Sequence, residues 1–250
     1  MLKLTDVSKR FGDNDILKSL SFEVAPGSTL ALLGLSGSGK TTALKLCCGL
    51  ISPDQGDVRV KSESLVGVDK KTLRKIRRNI GYVIQSGGLF PHLTVRENLL
   101  LIAREEEYSN DNIKSRLGEL CEMTKISSEL LEKFPREISG GERQRVGIMR
   151  AFFRDPEIFL LDEPFGALDP ITRRGLQMDL KELFVKTQKT VILVTHDLYE
   201  AAYMADQILL LNNGSVAQQG TFKDLMRHPA NDFVRLFVSS QSHTQLEEER

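Results

Sequence analysis

Gly34-Leu35-Ser36-Gly37-Ser38-Gly39-Lys40-Thr41 is the stretch that decides the fold. It matches the pattern G-x-x-x-x-G-K-[ST]. The short apolar run Thr29 to Leu33 precedes it, the mark of a strand buried on both faces. A helix is predicted to follow from about Lys40 to Cys48. Strand, glycine-rich loop and helix together are the context in which this motif is a phosphate site. The glycines let the backbone curl so that successive N–H groups point at a β-phosphate, and the helix N-terminus adds its positive end. Lys40 reaches the β and γ oxygens, and the Thr41 hydroxyl ligates Mg²⁺. The expected nucleotide-binding set is Gly34, Leu35, Ser36, Gly37, Ser38, Gly39, Lys40, Thr41 and Thr42.

A metal held by Thr41 needs a second ligand, expected at the end of another strand. Ile158-Phe159-Leu160-Leu161-Asp162-Glu163 supplies it. Four apolar residues bury the strand, and Asp162 emerges at its carboxyl end, where open α/β sheets bind ligands. Glu163, one residue on, is the expected general base that polarises an attacking water. These two sites define a P-loop NTPase. The guanine-reading motif N-K-x-D is absent, which disfavours the GTPase branch.

Composition narrows the class further. Within 250 residues, 34 Lys+Arg balance 34 Asp+Glu, so the formal net charge is zero. A nucleic-acid binder relying on phosphate neutralisation would show a basic excess, so no nucleic-acid partner is expected. Cys47, Cys48 and Cys121 are too few and too unevenly placed for a disulfide framework or a four-ligand zinc site, and a reduced cytosolic state fits them. Cys47 and Cys48 are expected to pack in the core. The N-terminus lacks a signal-peptide profile, and no apolar run approaches the roughly 20 residues of a spanning helix. The expectation is a soluble chain that meets any membrane through a partner.

Strands alternating with helices predict an α/β fold with a parallel sheet. Ile80–Ile84, Ile158–Leu161, Thr190–Val194 and Gln207–Leu211 are the other predicted buried strands, with helices at Lys70–Asn79 and Thr172–Lys186. Leu2–Phe11 and Leu20–Val24 alternate like half-exposed strands around a Gly12-Asp13-Asn14 turn, and residues 20–60 are expected to supply an antiparallel patch. From about Gln85 to Arg154 the spacing turns helical (Asn98–Arg104, Asp111–Lys125, Glu142–Phe153), which reads as a helical insertion. Thr221–Val238 is expected to form two short helices, and Ser239–Arg250 a frayed polar tail. Arg143, Arg145, Arg150 and Arg154 read as a solvated helix face, and His92, His228 and His243 as structural.

Ile138-Ser139-Gly140-Gly141-Glu142-Arg143-Gln144 precedes Asp162 by about twenty residues and opens a helix. This segment resembles the L-S-G-G-Q signature of ATP-binding cassette (ABC) ATPases. Other elements match that family in order: Phe11 as the adenine-stacking aromatic, Gln85 as the glutamine loop, Ala167-Leu168-Asp169 as the D-loop, and His196 as the switch histidine. The resemblance implies a RecA-like P-loop core at about 1–85 and 155–222, a small antiparallel β subdomain and a helical subdomain at about 86–154. The ATPase domain then spans 2–222, with C-terminal helices at 223–238 and a flexible tail at 239–250.

The same resemblance implies Glu163, His196 and Gln85 as catalytic residues and Thr41, Gln85 and Asp162 as Mg²⁺ ligands. Phe11, Ser139, Gly140, Gly141 and Asp169 join the phosphate loop around ATP. Phe11 also fits ordinary strand packing, and Gln85 a loop cap. Ser139 to Gly141 would close the nucleotide of a second copy in a head-to-tail dimer. Ile138, Glu142 and Arg143 depart from the usual signature, and Phe11 from the commoner Tyr.

The implied partners are integral-membrane permease subunits and, indirectly, a substrate-binding protein. The implied place is peripheral, on the cytoplasmic face of the inner membrane. Segment Gly87 to Val95 is apolar for a loop and resembles the groove that receives a short helix of the membrane subunit. Tyr82–Gln85, Gly88–His92, Asp162–Arg173 and His228–Phe233 are similar to cassettes of glycine betaine, carnitine or choline importers. Many of that group carry a C-terminal regulatory domain, which residues up to Arg250 do not include. A transporter for another substrate, a non-transport cassette and a module that holds ATP without turnover are the rivals.

Overall fold

Leu2–Phe11 (β1) and Asn14–Val24 (β2) pair antiparallel around the expected turn, with Phe11 opposite Asn14. This and the rest of the architecture come from a computed structural model that describes residues 1–85, 87–104 and 108–248. In chain order there follow β3 (Thr29–Leu33), α1 (Lys40–Cys47), β4 (Gln55–Val60), β5 (Glu63–Ser64), α2 (Lys70–Arg78) and β6 (Ile80–Val83). Next come α3 (Val95–Arg104), α4 (Asn110–Thr124), two 3₁₀ turns (Ser128–Glu132 and Pro135–Glu137), α5 (Gly140–Phe152) and β7 (Ile158–Asp162). The chain continues with α6 (Pro170–Thr187), β8 (Thr190–Thr195), α7 (Leu198–Met204), β9 (Gln207–Asn212), β10 (Ser215–Gly220), α8 (Phe222–Arg227) and α9 (Asp232–Glu248).

Two compact units form: residues 1–77 with 190–250, and residues 78–189. In the first, β3 lies between β8 and β9 and runs parallel to both, with Thr29 opposite Val191 and Leu30 opposite Gln207. Leu30 to Leu33 are at most 2% exposed, so this strand shows no in-out alternation. Ala31, Leu33, Ile208 and Leu210 pack with Leu198, Leu225, Val234 and Phe237 from α7, α8 and α9. A separate antiparallel sheet has the order β2-β1-β4-β5. It therefore begins at Leu2, not Leu20, and β3 inside the predicted 20–60 patch belongs to the parallel sheet.

The second unit holds β6 and β7 paired parallel, Ile80 opposite Ile158 and Val83 opposite Leu161. Phe152, Phe159 and Phe184 form its aromatic centre, the first two with ring centroids 4.1 Å apart. Its bounds differ from the 86–154 insertion expected from periodicity, because β6, β7 and α6 join the helical stretch.

Three further differences have local causes. β5, α7 and β10 are not among the predicted elements, and β4 is covered only by the general expectation of an antiparallel patch over 20–60. β4 carries a buried Val58 and Val60 among polar neighbours, too sparse a pattern to stand out. The last helix runs to Glu248, past the start of the predicted tail; residues 249 and 250 and the side chain of His243 lie outside the described residues. The arginines of α5 are not a solvated face. Arg143 donates to the carbonyls of Pro135 and Ile138, and Arg145 to that of Thr124 while pairing with Asp179 at 2.8 Å. Cys47 and Cys48 are buried as expected, and burial pushes both thiols up.

Candidate functional site

The phosphate loop lies in the first unit, between the buried end of β3 and the start of α1. Gly34, Gly37 and Gly39 adopt φ of 152°, 79° and 100°, conformations that suit glycine. At Gly34 the need is also steric: a Cβ there would meet the Leu211 carbonyl oxygen at 2.5 Å and Ser38 Oγ at 2.7 Å. Lys40 is buried, and its Nζ donates to the carbonyls of Gly34 and Leu35 at 2.7 and 2.9 Å. The ammonium is thus held inside the curl of the loop. Ser38 Oγ is also buried and has no hydrogen-bond partner among the described residues. A glycine-rich curl, an inward cation and an orphaned hydroxyl fit a phosphate group.

Phe11 ends β1 half exposed, with Lys9 Nζ 5.4 Å from its ring centroid. Half of the side chain is thus left outside the packing of the antiparallel sheet, with a lysine ammonium over the ring. His196 follows β8 directly, at the position the apolar strand predicts. A cavity of about 580 Å³ opens beside β1 and β2, but its Lys9, Arg10, Asp15 and Asp54 pair with one another.

The second unit gathers the carboxylates. β7 is fully buried through Asp162, and the Tyr82 hydroxyl donates to Asp162 Oδ2 at 3.3 Å. Glu163 follows at φ 45°, and Gln85 Nε2 donates to its Oε2 at 3.2 Å. The structure therefore brings Gln85 and Glu163 together, a pairing that sequence spacing could not supply. In the first unit Thr41 offers a hydroxyl oxygen, and in the second Asp162 and Gln85 offer carboxylate and amide oxygens, each a donor type that suits Mg²⁺. Among the described residues there is no group of three or more His, Cys, Asp or Glu that could hold a metal ion.

Ser139 caps α5 in a reciprocal box. Its Oγ accepts from Glu142 N at 3.2 Å, while Glu142 Oε2 accepts from Ser139 N at 2.7 Å. The Ser139 N–H holds the Glu142 carboxyl below the ordinary range. Asp169 caps α6 by accepting from Thr172 N at 3.0 Å, and its hydrogen bonds with Thr172 lower its carboxyl in the same way. Both caps have a local signal in the sequence, since Ser-x-x-Glu and Asp-Pro mark helix starts.

The family profile described as ABC transporter matches residues 17–166, from β2 across the phosphate loop, the capped α5 and the two carboxylates. The chain belongs to the ABC transporter family. It is 41% identical to the glycine betaine/carnitine/choline transport ATP-binding protein OpuCA of Bacillus subtilis, over 96% of this chain and 63% of that protein. It is 40% identical to the glycine betaine uptake system ATP-binding protein YehX of Escherichia coli, over 95% and 76%. The sulfate/thiosulfate import ATP-binding protein CysA of Synechocystis matches at 41% over 94% and 64%. The chain thus spans under two thirds of the length of OpuCA and CysA. Among solved structures, the dimeric post-hydrolysis state of the cassette MJ0796 bound to ADP and Pi superposes with a TM-score of 0.80 at 33% identity, covering 89% of this chain and 99% of that one.

Proposed function

We propose that this cassette hydrolyses ATP and couples the hydrolysis to transport by membrane-embedded permease subunits. The observation that carries the reading is the phosphate loop that surrounds buried Lys40, in a chain that matches importer ATP-binding proteins over nearly its whole length. Residues 2–222 act as the ATPase domain, with 223–238 as C-terminal helices. No helix among the described residues is long and apolar enough to cross a membrane. In this reading the chain is peripheral on the cytoplasmic face and meets the bilayer through the permease subunits, as its likeness to transporter ATP-binding proteins supports.

Each residue has a physical part. Phe11 offers its exposed ring to adenine. Loop N–H groups and Lys40 bind the phosphates, and Thr41, Asp162 and Gln85 are the residues that would hold Mg²⁺. Bound Mg²⁺ supplies charge neutralisation at the phosphoryl oxygens. Glu163, oriented by Gln85, takes the proton of the attacking water, and His196 orients that carboxylate at the γ-phosphate. Ser139, Gly140 and Gly141 present a helix N-terminus to the nucleotide of a second copy, with Asp169 beside it in the D-loop, so two chains sandwich two ATP molecules. That the MJ0796 cassette is dimeric supports the pairing of two chains.

The transported molecule is a quaternary amine such as glycine betaine, carnitine or choline, delivered by a substrate-binding protein. OpuCA and YehX favour this class. CysA, at a similar identity, makes an oxyanion the second reading, because the cassette itself need not touch the cargo. A pull-down of the tagged Glu163→Gln chain with MgATP from detergent-solubilised native membranes tests the proposal. A multi-span permease, with a quaternary-amine-binding protein added by cross-linking, is the expected catch. Ribosomal proteins or DNA in its place would leave the cassette and remove the transporter.

A further inference from the structure

Arg150 stands in the last turn of α5, and the structure gives its guanidinium an unusual occupation. Nη1 donates to the Gly88 carbonyl at 2.7 Å and Nη2 to the Gly87 carbonyl at 3.1 Å. One planar fork thus grips two consecutive main-chain oxygens. No carboxylate pairs with Arg150 among the described residues. Burial alone drives its pKa down, the cost of holding a guanidinium away from water without a counter-charge.

Gly147, one turn back on the same face, completes the contact. A Cβ there would meet the Gly87 carbonyl oxygen at 2.9 Å and Gly87 Cα at 3.0 Å, so backbone touches backbone. On the loop side, Gly87 and Gly88 both have positive φ, 70° and 62°. Gly87 N closes a turn onto the Ile84 carbonyl at 2.9 Å, which fixes the loop around Gln85. Gln85 in turn holds Glu163.

We propose that Arg150 is a positioning residue that fastens the loop after Gln85 to α5, so that loop, Glu163 and the Ser139-capped helix end shift as one piece. This rests on the reading that Glu163 and the Ser139 end act on ATP. A permease helix pressing on residues 87–95 would then move the water-activating carboxylate and the phosphate-closing helix end together. Without the clamp the loop would move against α5, and pressure on it would be lost before reaching Ser139. Lys in place of Arg keeps the charge but cannot fork across both carbonyls.

The test compares the wild-type chain with Arg150→Lys and Gly147→Ala. MgATP affinity is measured by equilibrium dialysis, and kcat and KM by phosphate release. Both variants are expected to lose about tenfold or more in kcat, with MgATP affinity within about twofold of wild type, because the phosphate loop is untouched. Gly147→Ala keeps Arg150 and displaces Gly87 instead, so it tests the clamp independently. Folded variants with wild-type kcat would overturn the proposal, as would equal losses in kcat and affinity.

Hydrogen exchange on the wild-type chain needs no variant. Adding MgATP should change the protection of the Gly87 and Gly88 amides in step with that of α5, and a change confined to one of them overturns the clamp. A wild-type chain that neither binds nor hydrolyses MgATP would instead bring down the functional reading itself.

Discussion

Gln85 and Glu163, 78 residues apart in sequence, meet through one hydrogen bond of 3.2 Å from the Gln85 amide to the Glu163 carboxylate. The bond ties the Glu163 side chain to the loop that carries Gln85. A carboxylate so placed is suited to accept a proton from water. Glu163→Gln keeps the shape and removes the basicity. Turnover is expected to fall by about 10²–10⁴-fold, while MgATP binding survives. Light scattering in MgATP should then show a species of twice the chain mass, and a variant that stays monomeric with ATP bound would count against the sandwich.

Lys40 is the buried cation of the loop, held by the carbonyls of Gly34 and Leu35. Its ammonium is preorganised for phosphate and costs little reorientation on binding. A hydrogen bond involving a charged group contributes about 1.5–3 kcal/mol. Lys40→Ala is therefore expected to weaken MgATP binding by roughly ten- to a hundredfold, read by calorimetric titration. Unchanged affinity would withdraw the phosphate from this loop.

What the sequence disclosed, and what it hid, follows from range. The phosphate loop, β3, β7 and β8 were legible because a fixed-spacing motif and uninterrupted apolar runs are local signals. Asp162 was legible as the residue after such a run. The clamp was not: Arg150 bonds to carbonyls 62 and 63 positions away, and a carbonyl has no residue type to betray it. Arg145 and Asp179, 34 positions apart, likewise look like surface charges until α5 and α6 are packed. The Ser139–Glu142 box is readable from its Ser-x-x-Glu spacing.

The aromatic centre of the second unit gives a stability prediction. Phe159 is fully buried on β7, its ring 4.1 Å from that of Phe152 and 5.4 Å from that of Phe184, centroid to centroid. Phe159→Ala would leave a cavity that stacked rings on two helices cannot collapse to fill. A loss of about 3–5 kcal/mol is expected, measured as a shift in urea midpoint. A loss below about 1 kcal/mol would mean that the cluster repacks.

Glu142 links pH to the capped end of α5. The Ser139 N–H, 2.7 Å from Oε2, lowers the folded carboxyl below its ordinary value of 4.5. A group with a depressed folded pKa contributes stability that is full above the unfolded value and is lost as pH falls through the folded one. At neutral pH wild type should exceed Glu142→Ala by about 1 kcal/mol, the worth of a helix cap. That gap should begin to shrink as pH drops past the ordinary value and go on shrinking until the folded carboxyl is protonated. Glu142→Gln keeps an oxygen acceptor for the Ser139 N–H but cannot titrate, so its advantage over Glu142→Ala should not vary with pH. Urea midpoints of the three chains, taken at steps from neutral to acid pH, separate these cases. A wild-type gap that is flat across the whole range would show that the carboxylate charge does not cap the helix.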